Sequence, residues 1–430
     1  TRPYQKLKYI LLIGVLMAAL FGSAMGGVLD PICLATRGLS LTILPLIQWL
    51  LGSLLTTAGE SDLPAAWQAA DRIYESVGGV LLNKKGVLVA GGFLLSLFFL
   101  AVLVANRIIP RFWCRGLCPL GALLGLFGRF GILTLKKDEH TCTNCGKCEL
   151  HCSQAASPKP GDPWQRAECD LCMNCTADCP EDSLAFTLYK KDEPEQSLPD
   201  LKRRSVLVGA ASGAALVPTM RTGALGSLYG RPDPARIRPP GSLDEQDFLE
   251  RCIRCGQCMK ICPNNALHPA FDEAGIEGIW TPVLVPRIGY CEPTCTLCTQ
   301  VCPTGAIHTV TEKQKVGAEN EGMIRLGTAF IDRGRCLPWA MDTPCIVCEE
   351  FCPVSPKAIW FSKEKLVTRN GATITLKAPH VDPAACNGCG ACEFVCPVND
   401  NAAIRITSVG ESRSPGHELL LHRPRKKITE

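Results

Sequence analysis

The sequence predicts two kinds of fold in one chain: a helical membrane anchor, then small α+β units of one repeated kind. Three observations predict it. Two runs near the N-terminus, Tyr9–Leu29 and Gly86–Ala105, hold 21 and 20 residues without a charge. Of 27 cysteines, 24 fall into six groups of four, all beyond residue 140. Each of the last five groups is followed by a related segment (CPEDSLAF, CPNNALHP, CPTGAIHT, CPVSPKAIW, CPVNDNAAIRI), and such internal self-similarity means that one small unit is used several times.

The anchor comes first. Either charge-free run is long enough to cross about 30 Å of hydrocarbon as a helix. A third apolar stretch, Leu39–Thr56, is interrupted by Pro45 and Gln48 and reads as interfacial or re-entrant. Arg2, Lys6 and Lys8 precede the first run, and Arg107, Arg111, Arg115, Arg129, Lys136 and Lys137 follow the second without an intervening acid. Both basic ends then belong in the cytoplasm, which two crossings satisfy and three do not. Trp113–Lys137 reads as a surface helix over about 114–134, with Leu117, Leu120, Leu123, Leu124 and Phe127 turned inward.

The cysteine groups carry the chemistry. They are Cys142, Cys145, Cys148 and Cys152; Cys169, Cys172, Cys175 and Cys179; Cys252, Cys255, Cys258 and Cys262; Cys291, Cys295, Cys298 and Cys302; Cys336, Cys345, Cys348 and Cys352; and Cys386, Cys389, Cys392 and Cys396. Four of the six read C-x2-C-x2-C-x3-C, and in five the last cysteine precedes proline. That run holds [4Fe–4S] clusters in bacterial ferredoxins, where the fourth cysteine serves the other cluster of a pair. Three thiolates on a tight loop cap three irons, and the fourth must arrive from another segment. Zinc pairs two dicysteine hooks at longer separation and needs no third cysteine so close. Six clusters are expected, in 2[4Fe–4S] ferredoxin-like units. The fourth group opens with three intervening residues, the fifth with eight, and Cys152 lacks the proline. Sequential and nested exchange of the fourth cysteine both fit the spacings.

The expected boundaries are a membrane domain over 1–137, a two-cluster unit over 138–190, a linker over 191–240, a four-cluster domain over 241–408 and a tail over 409–430. Within the linker, a lysine, two arginines and a mildly apolar Ala/Gly-rich run (202–220) look like a twin-arginine export signal inside the chain. One reading has Arg203 and Arg204 in the cytoplasm and the last four clusters outside; the other has a linker helix packed on a partner and all six clusters on one side.

No phosphate-binding loop, dinucleotide fingerprint or C-x-x-C-H occurs, so nucleotide and covalent haem lack support. The seven histidines lie outside the charge-free runs, which removes a bis-histidine haem b within them. The net charge is +4 and no Lys/Arg stripe with interleaved aromatics appears, so no nucleic-acid partner is expected. Every group has four cysteines, which leaves no open iron for substrate chemistry and no catalytic residue to name. A quinone contact, if this chain makes one, is expected near Arg111, Trp113 and Arg115, or near Arg37 and Gln48; interfacial Arg and Trp are also common anchors. Cys33, Cys114 and Cys118 are left over as thiols in or beside the anchor.

Two resemblances now become specific. WCRGLCPLGALLGLFGRFGILTLKK, with Cys114 and Cys118 in C-x3-C-P form, spans upstream and quartets directly after, resembles the membrane ferredoxins of quinol-dehydrogenase modules that feed periplasmic nitrate reductase. It also resembles the nitrous-oxide-reductase accessory polyferredoxins. Those proteins carry four or more spans and two such elements; this chain has one. RPPGSLDEQDFLERCIRCGQCMKICP (Arg238–Pro263) with three further quartets is similar to the four-cluster partner in the same modules and to the methylamine-utilisation ferredoxins. The resemblances imply a fusion of both components in a bacterial cytoplasmic membrane, passing electrons between a quinone pool or membrane donor and a periplasmic reductase or cytochrome. The alternatives are an iron–sulfur subunit fixed in a larger membrane oxidoreductase, and a redox sensor or maturation factor for a periplasmic reductase.

Overall fold

The computed structural model describes residues 3–59, 92–128, 131–188, 203–221, 235–271, 273–317, 322–367 and 373–413, with positions 68, 72, 89 and 371. It divides into two compact units, one of residues 1–34 and 96–221, the other of 35–95 and 222–430. The predicted 1–137 domain is therefore not a body of its own: its helices are shared out between the two.

In the first unit, α1 (Pro3–Leu20) starts before the predicted span and stops well short of residue 29. Gly22, at φ +72°, turns the chain there, the left-handed position at which helices commonly end. A single turn, Gly26–Leu29, follows. The predicted surface helix is likewise interrupted. A π-helical turn, Trp113–Leu117, ends at Cys118 in extended conformation, and a helix restarts over Pro119–Gly128. Proline has no N–H to continue the earlier ladder and disfavours helical geometry in the residue before it. The expected last residues of that helix instead open β1 (Leu133–Lys137), paired antiparallel with β2 (Leu184–Leu188) from Leu133↔Leu188 to Lys137↔Leu184. Leu135, Ala156, Trp164 and Leu184 form the core below this ribbon, together with Cys148 and Cys175.

The twin-arginine-like segment is a helix, Arg203–Arg221, lying along α1 in the same unit. Its Gly209-x3-Gly213 lets the backbones touch. A Cβ on Gly213 would stand 2.8 Å from the Gly14 Cα, and one on Gly209 3.1 Å from the Ile10 carbonyl oxygen. Small residues four apart are the usual device for such close helix pairs in apolar surroundings.

In the second unit, helical backbone runs from Ala35 through Gly59, with a π-helical turn at Leu39–Ile43. The helix that includes it, Pro31–Thr57, is the one among the described residues long and apolar enough to cross a membrane by length and composition. The stretch expected to be interfacial or re-entrant, Leu39–Thr56, is thus part of a longer helix, and the helix Gly92–Ile108 is shorter. Among the described residues, the α+β part of this unit holds three two-stranded antiparallel ribbons: β3 (Leu267–Pro269) with β4 (Pro282–Leu284), β5 (Thr328–Ile331) with β8 (Ile404–Thr407), and β6 (Ile359–Val367) with β7 (Thr373–Val381). Sheets this small do not stand alone in water; quartet cysteines lie beside Leu267 and Leu284 of the first ribbon and Ile331 and Ile404 of the second.

Candidate metal centres

Each regular quartet is wound by two left-handed residues flanking its second cysteine. They are Asn144 and Gly146, Leu171 and Met173, Arg254 and Gly256, and Gly388 and Gly390. A one-turn helix follows, as in Lys147–Leu150 and Gln257–Lys260, and carries the third cysteine inward. The fourth and fifth quartets omit this winding: Thr296 and Ile346, at the same place relative to the third cysteine, have φ −122° and −125°. The longer spacings in those two loops reach the same end by another path.

The cysteines meet across quartets. One cavity is lined by Cys252, Cys255, Cys258 and Cys302, a second by Cys262, Cys291, Cys295 and Cys298, and a third by Cys336, Cys345, Cys348 and Cys396. Each joins the first three cysteines of one quartet to the last cysteine of its neighbour. Electrostatics reports the rest of the pattern. Burial first, then the charges of Cys142, Cys145 and Cys179, push the Cys148 thiol up. Burial and then Cys169, Cys152 and Cys172 push Cys175 up to about 11. Burial raises Cys392, helped by Cys389, Cys386, Cys348 and Cys352. Of the two exchange schemes the spacings allow, the structure takes the sequential one throughout.

These sites fit a cubane and not a single ion. Among the described residues no three His, Cys, Asp or Glu side chains converge closely enough for one metal ion, and all 27 cysteines are free of disulfides. Backbone N–H groups already point at several ligand sulfurs: Ala156 to Cys152 at 3.2 Å, Ala266 to Cys262 at 3.3 Å, Ala329 to Cys386 and Ala403 to Cys396 at 3.4 Å. Such bonds stabilise thiolate and tune a cluster's potential. The fourth and sixth quartets abut directly, the Cys291 N–H donating to the Cys389 carbonyl at 2.8 Å. In space the quartets of the second unit therefore run third, fourth, sixth, fifth.

The residues expected near a quinone have firm partners of their own. Arg115 donates to the carbonyls of Cys152 and Ser153 at 2.9 and 2.8 Å. Trp113 is buried against Leu34 and Cys118, edge-on to Phe98 at 6.3 Å. Arg111 pairs with Asp170, between Cys169 and Cys172, at 3.3 Å. Sequence thus singled out two arginines, Arg111 and Arg115, that hold the first two cysteine loops. Lys8, counted with the basic cytoplasmic end, is buried and pairs with Glu168 at 2.5 Å, where Tyr9 also donates. Arg37 is fully buried, 4.3 Å over the Trp280 ring, and donates to the Arg254 carbonyl inside the third quartet. Gln48 is buried too. Beside them, Thr36, Ser40, Ile43, Ile47, Lys260 and Cys255 line an open apolar cavity of about 670 Å³. Sequence reasoning passed over Arg254, Arg238 and Lys315, since no motif marks a cation that folds back on a loop from a distance.

The fold and the sites define a class: a protein that binds [4Fe–4S] clusters in repeated ferredoxin-like units. Two models described as "4Fe-4S binding domain" match residues 247–268 and 378–404, which enclose the third and sixth quartets. Ferredoxin-type protein NapG of Escherichia coli is 34% identical over 171 residues, 40% of this chain and 70% of that protein. Methylamine utilization ferredoxin-type protein MauM of Paracoccus denitrificans is 34% identical over 206 residues, 47% of this chain and 82% of that protein. The chain belongs to this family of ferredoxin-type proteins and is an iron–sulfur electron-transfer protein. An uncharacterized protein of Methanocaldococcus jannaschii is 35% identical over 117 residues, and the chain spans about half its length, 47%.

Proposed function

We propose that this protein is a membrane-bound conduit passing electrons one at a time through six [4Fe–4S] clusters, between a quinone pool or membrane donor and a partner redox protein. The single observation that carries the reading is the repeated exchange of the fourth cysteine, which gives all 24 quartet cysteines a place in six four-sulfur sites. The clusters supply reversible one-electron storage; the chain supplies the thiolates, the N–H groups that stabilise them and the shell that excludes water. The four sites of the second unit form an unbranched series, third, fourth, sixth and fifth, as a wire requires.

The membrane part of this reading rests on the apolar helix Pro31–Thr57 and on the outward-facing Phe93, Leu97, Leu100 and Ile108, which suit lipid or the helices of another subunit. A quinone would meet the chain near Arg111, Trp113 and Arg115, beside the first two cysteine loops, or in the cavity walled by Cys255. Drug-sized and cofactor-sized ligands occupy cavities of about 300–1,000 Å³, and that cavity falls within the range. NapG and MauM are named as ferredoxin-type proteins, the latter of methylamine utilization, so a partner reductase, dehydrogenase or cytochrome supplies the substrate chemistry. Fusion of a membrane ferredoxin to a four-cluster one completes the proposal. Iron and sulfide analysis with redox-titrated EPR tests it: 24 irons are expected, and a content near 16 or below overturns the six-cluster reading.

A further inference from the structure

Lys315 stands in the short helix Glu312–Val316, fixed at its start by a capping box between Thr311 and Gln314. Its side chain folds back 20 to 24 residues, onto the loop of the fourth quartet, and the residue is 6% exposed. There Nζ donates to the Glu292 carbonyl at 2.6 Å, the Cys295 carbonyl at 2.5 Å and the Cys291 Sγ at 3.2 Å. An ammonium has three protons and no acceptor, so all three are spent, one of them on a ligand sulfur. The hydrogen bonds to ligand sulfur described in the other quartets come from backbone N–H or hydroxyl groups, such as Ala266 to Cys262 and Ser183 with Cys179. The contact also falls on one of the two loops with an enlarged first spacing, Cys291-x3-Cys295.

We propose that Lys315 raises the reduction potential of the cluster held by Cys291, Cys295, Cys298 and Cys262. The inference rests on the cluster reading above. Reduction adds one negative charge to the site. A positive charge in hydrogen-bond contact with one of its sulfurs favours the reduced form, and burial keeps water from screening it. Lys315 is a tuning residue here, touching a ligand and not a substrate.

Redox titration of the membrane-extracted protein, followed by EPR, tests this with Lys315→Gln, which keeps a donor and removes the charge, and Lys315→Met, which removes both. Each variant should retain 24 irons while one midpoint moves negative. At fixed ambient potential the reduced-to-oxidised ratio of that one site should fall about tenfold, which for one electron is ~59 mV. Full iron content with every midpoint unchanged overturns the proposal and leaves the six-cluster reading standing; wild-type iron well below 24 sinks that reading instead. If both variants shed iron, pulsed EPR on wild-type protein carrying 15N at its lysine side chains decides. Nitrogen coupling to one reduced centre upholds the contact, and absence of coupling from every centre overturns it.

Discussion

Met173 occupies a left-handed position, φ +60°, which its counterparts Gly146, Gly256 and Gly390 fill with glycine. A side chain there costs roughly 1–2 kcal/mol, and Met173 is about half exposed, so little packing offsets the strain. Met173→Gly should raise the resistance of the two-cluster unit to denaturant by on the order of 1 kcal/mol, read from loss of the iron–sulfur absorbance. Elsewhere a buried charge is the weak point. Burial alone would raise the Glu245 carboxyl, but Arg238, Arg236 and Arg413 outweigh it and hold it at about 2. Its stabilising share is therefore complete above the ordinary carboxylate range and is lost as pH falls toward 2. Glu245→Gln strands Arg238 and should cost about 3–5 kcal/mol at neutral pH, measured by urea unfolding of the four-cluster unit, with a flatter acid dependence than wild type. At this scale the sequence was informative wherever chemistry recurs at fixed spacing. All 24 quartet cysteines were legible as candidate ligands, whereas Glu245, Arg254 and Lys315 were not, because each acts on residues distant or unmarked along the chain.

The helix Arg203–Arg221 teaches a different lesson at the scale of elements. Its arginines and its Ala/Gly-rich run were readable as an export-like segment; its partner was not. The pairing with α1 depends on Gly14 and Gly213 meeting from opposite ends of the first unit's sequence, and no local pattern records that. Gly213→Ile would drive a branched side chain into the Gly14 backbone. The pair should separate, with the midpoint of thermal helix loss in detergent falling by several degrees while iron content stays near wild type, since no ligand lies on either helix. An unchanged midpoint would mean that the two helices hold each other more loosely than the glycine contact implies. Helix ends were legible only in part. Pro119 marks a restart in plain view, but the turn at Gly22 lies inside an unbroken apolar run, where hydropathy alone sees one span.

For the whole molecule the open proposal is sidedness. If the helix Arg203–Arg221 carries the chain outward, a protease added to spheroplasts should remove a C-terminal tag; a protected tag would place all six clusters on the cytoplasmic side. Composition made the class of protein legible, since 24 grouped cysteines leave few other chemistries. The order of the sites was not legible. It rests on contacts between residues about a hundred positions apart, the backbone bond from Cys291 to Cys389 and the bonds from Arg287 to the carbonyls of Glu393, Cys396 and Val398, and numbering the quartets along the chain would have put the fifth where the sixth stands.

Sequential exchange of the fourth cysteine also bears on how the protein is made. Cys142 and Cys179, the ends of the first pair, lie 37 residues apart, and each later pair likewise closes before the next quartet begins. In the six-cluster reading proposed above, synthesis would deliver the chain in three instalments, each able to take up two clusters as soon as its second quartet emerges, with no half-filled site waiting for the far end of the polypeptide. A nested arrangement would have left the outermost thiols bare until synthesis was almost finished. Cluster insertion can thus keep pace with translation, and a chain cut short between pairs should still carry whole pairs of clusters.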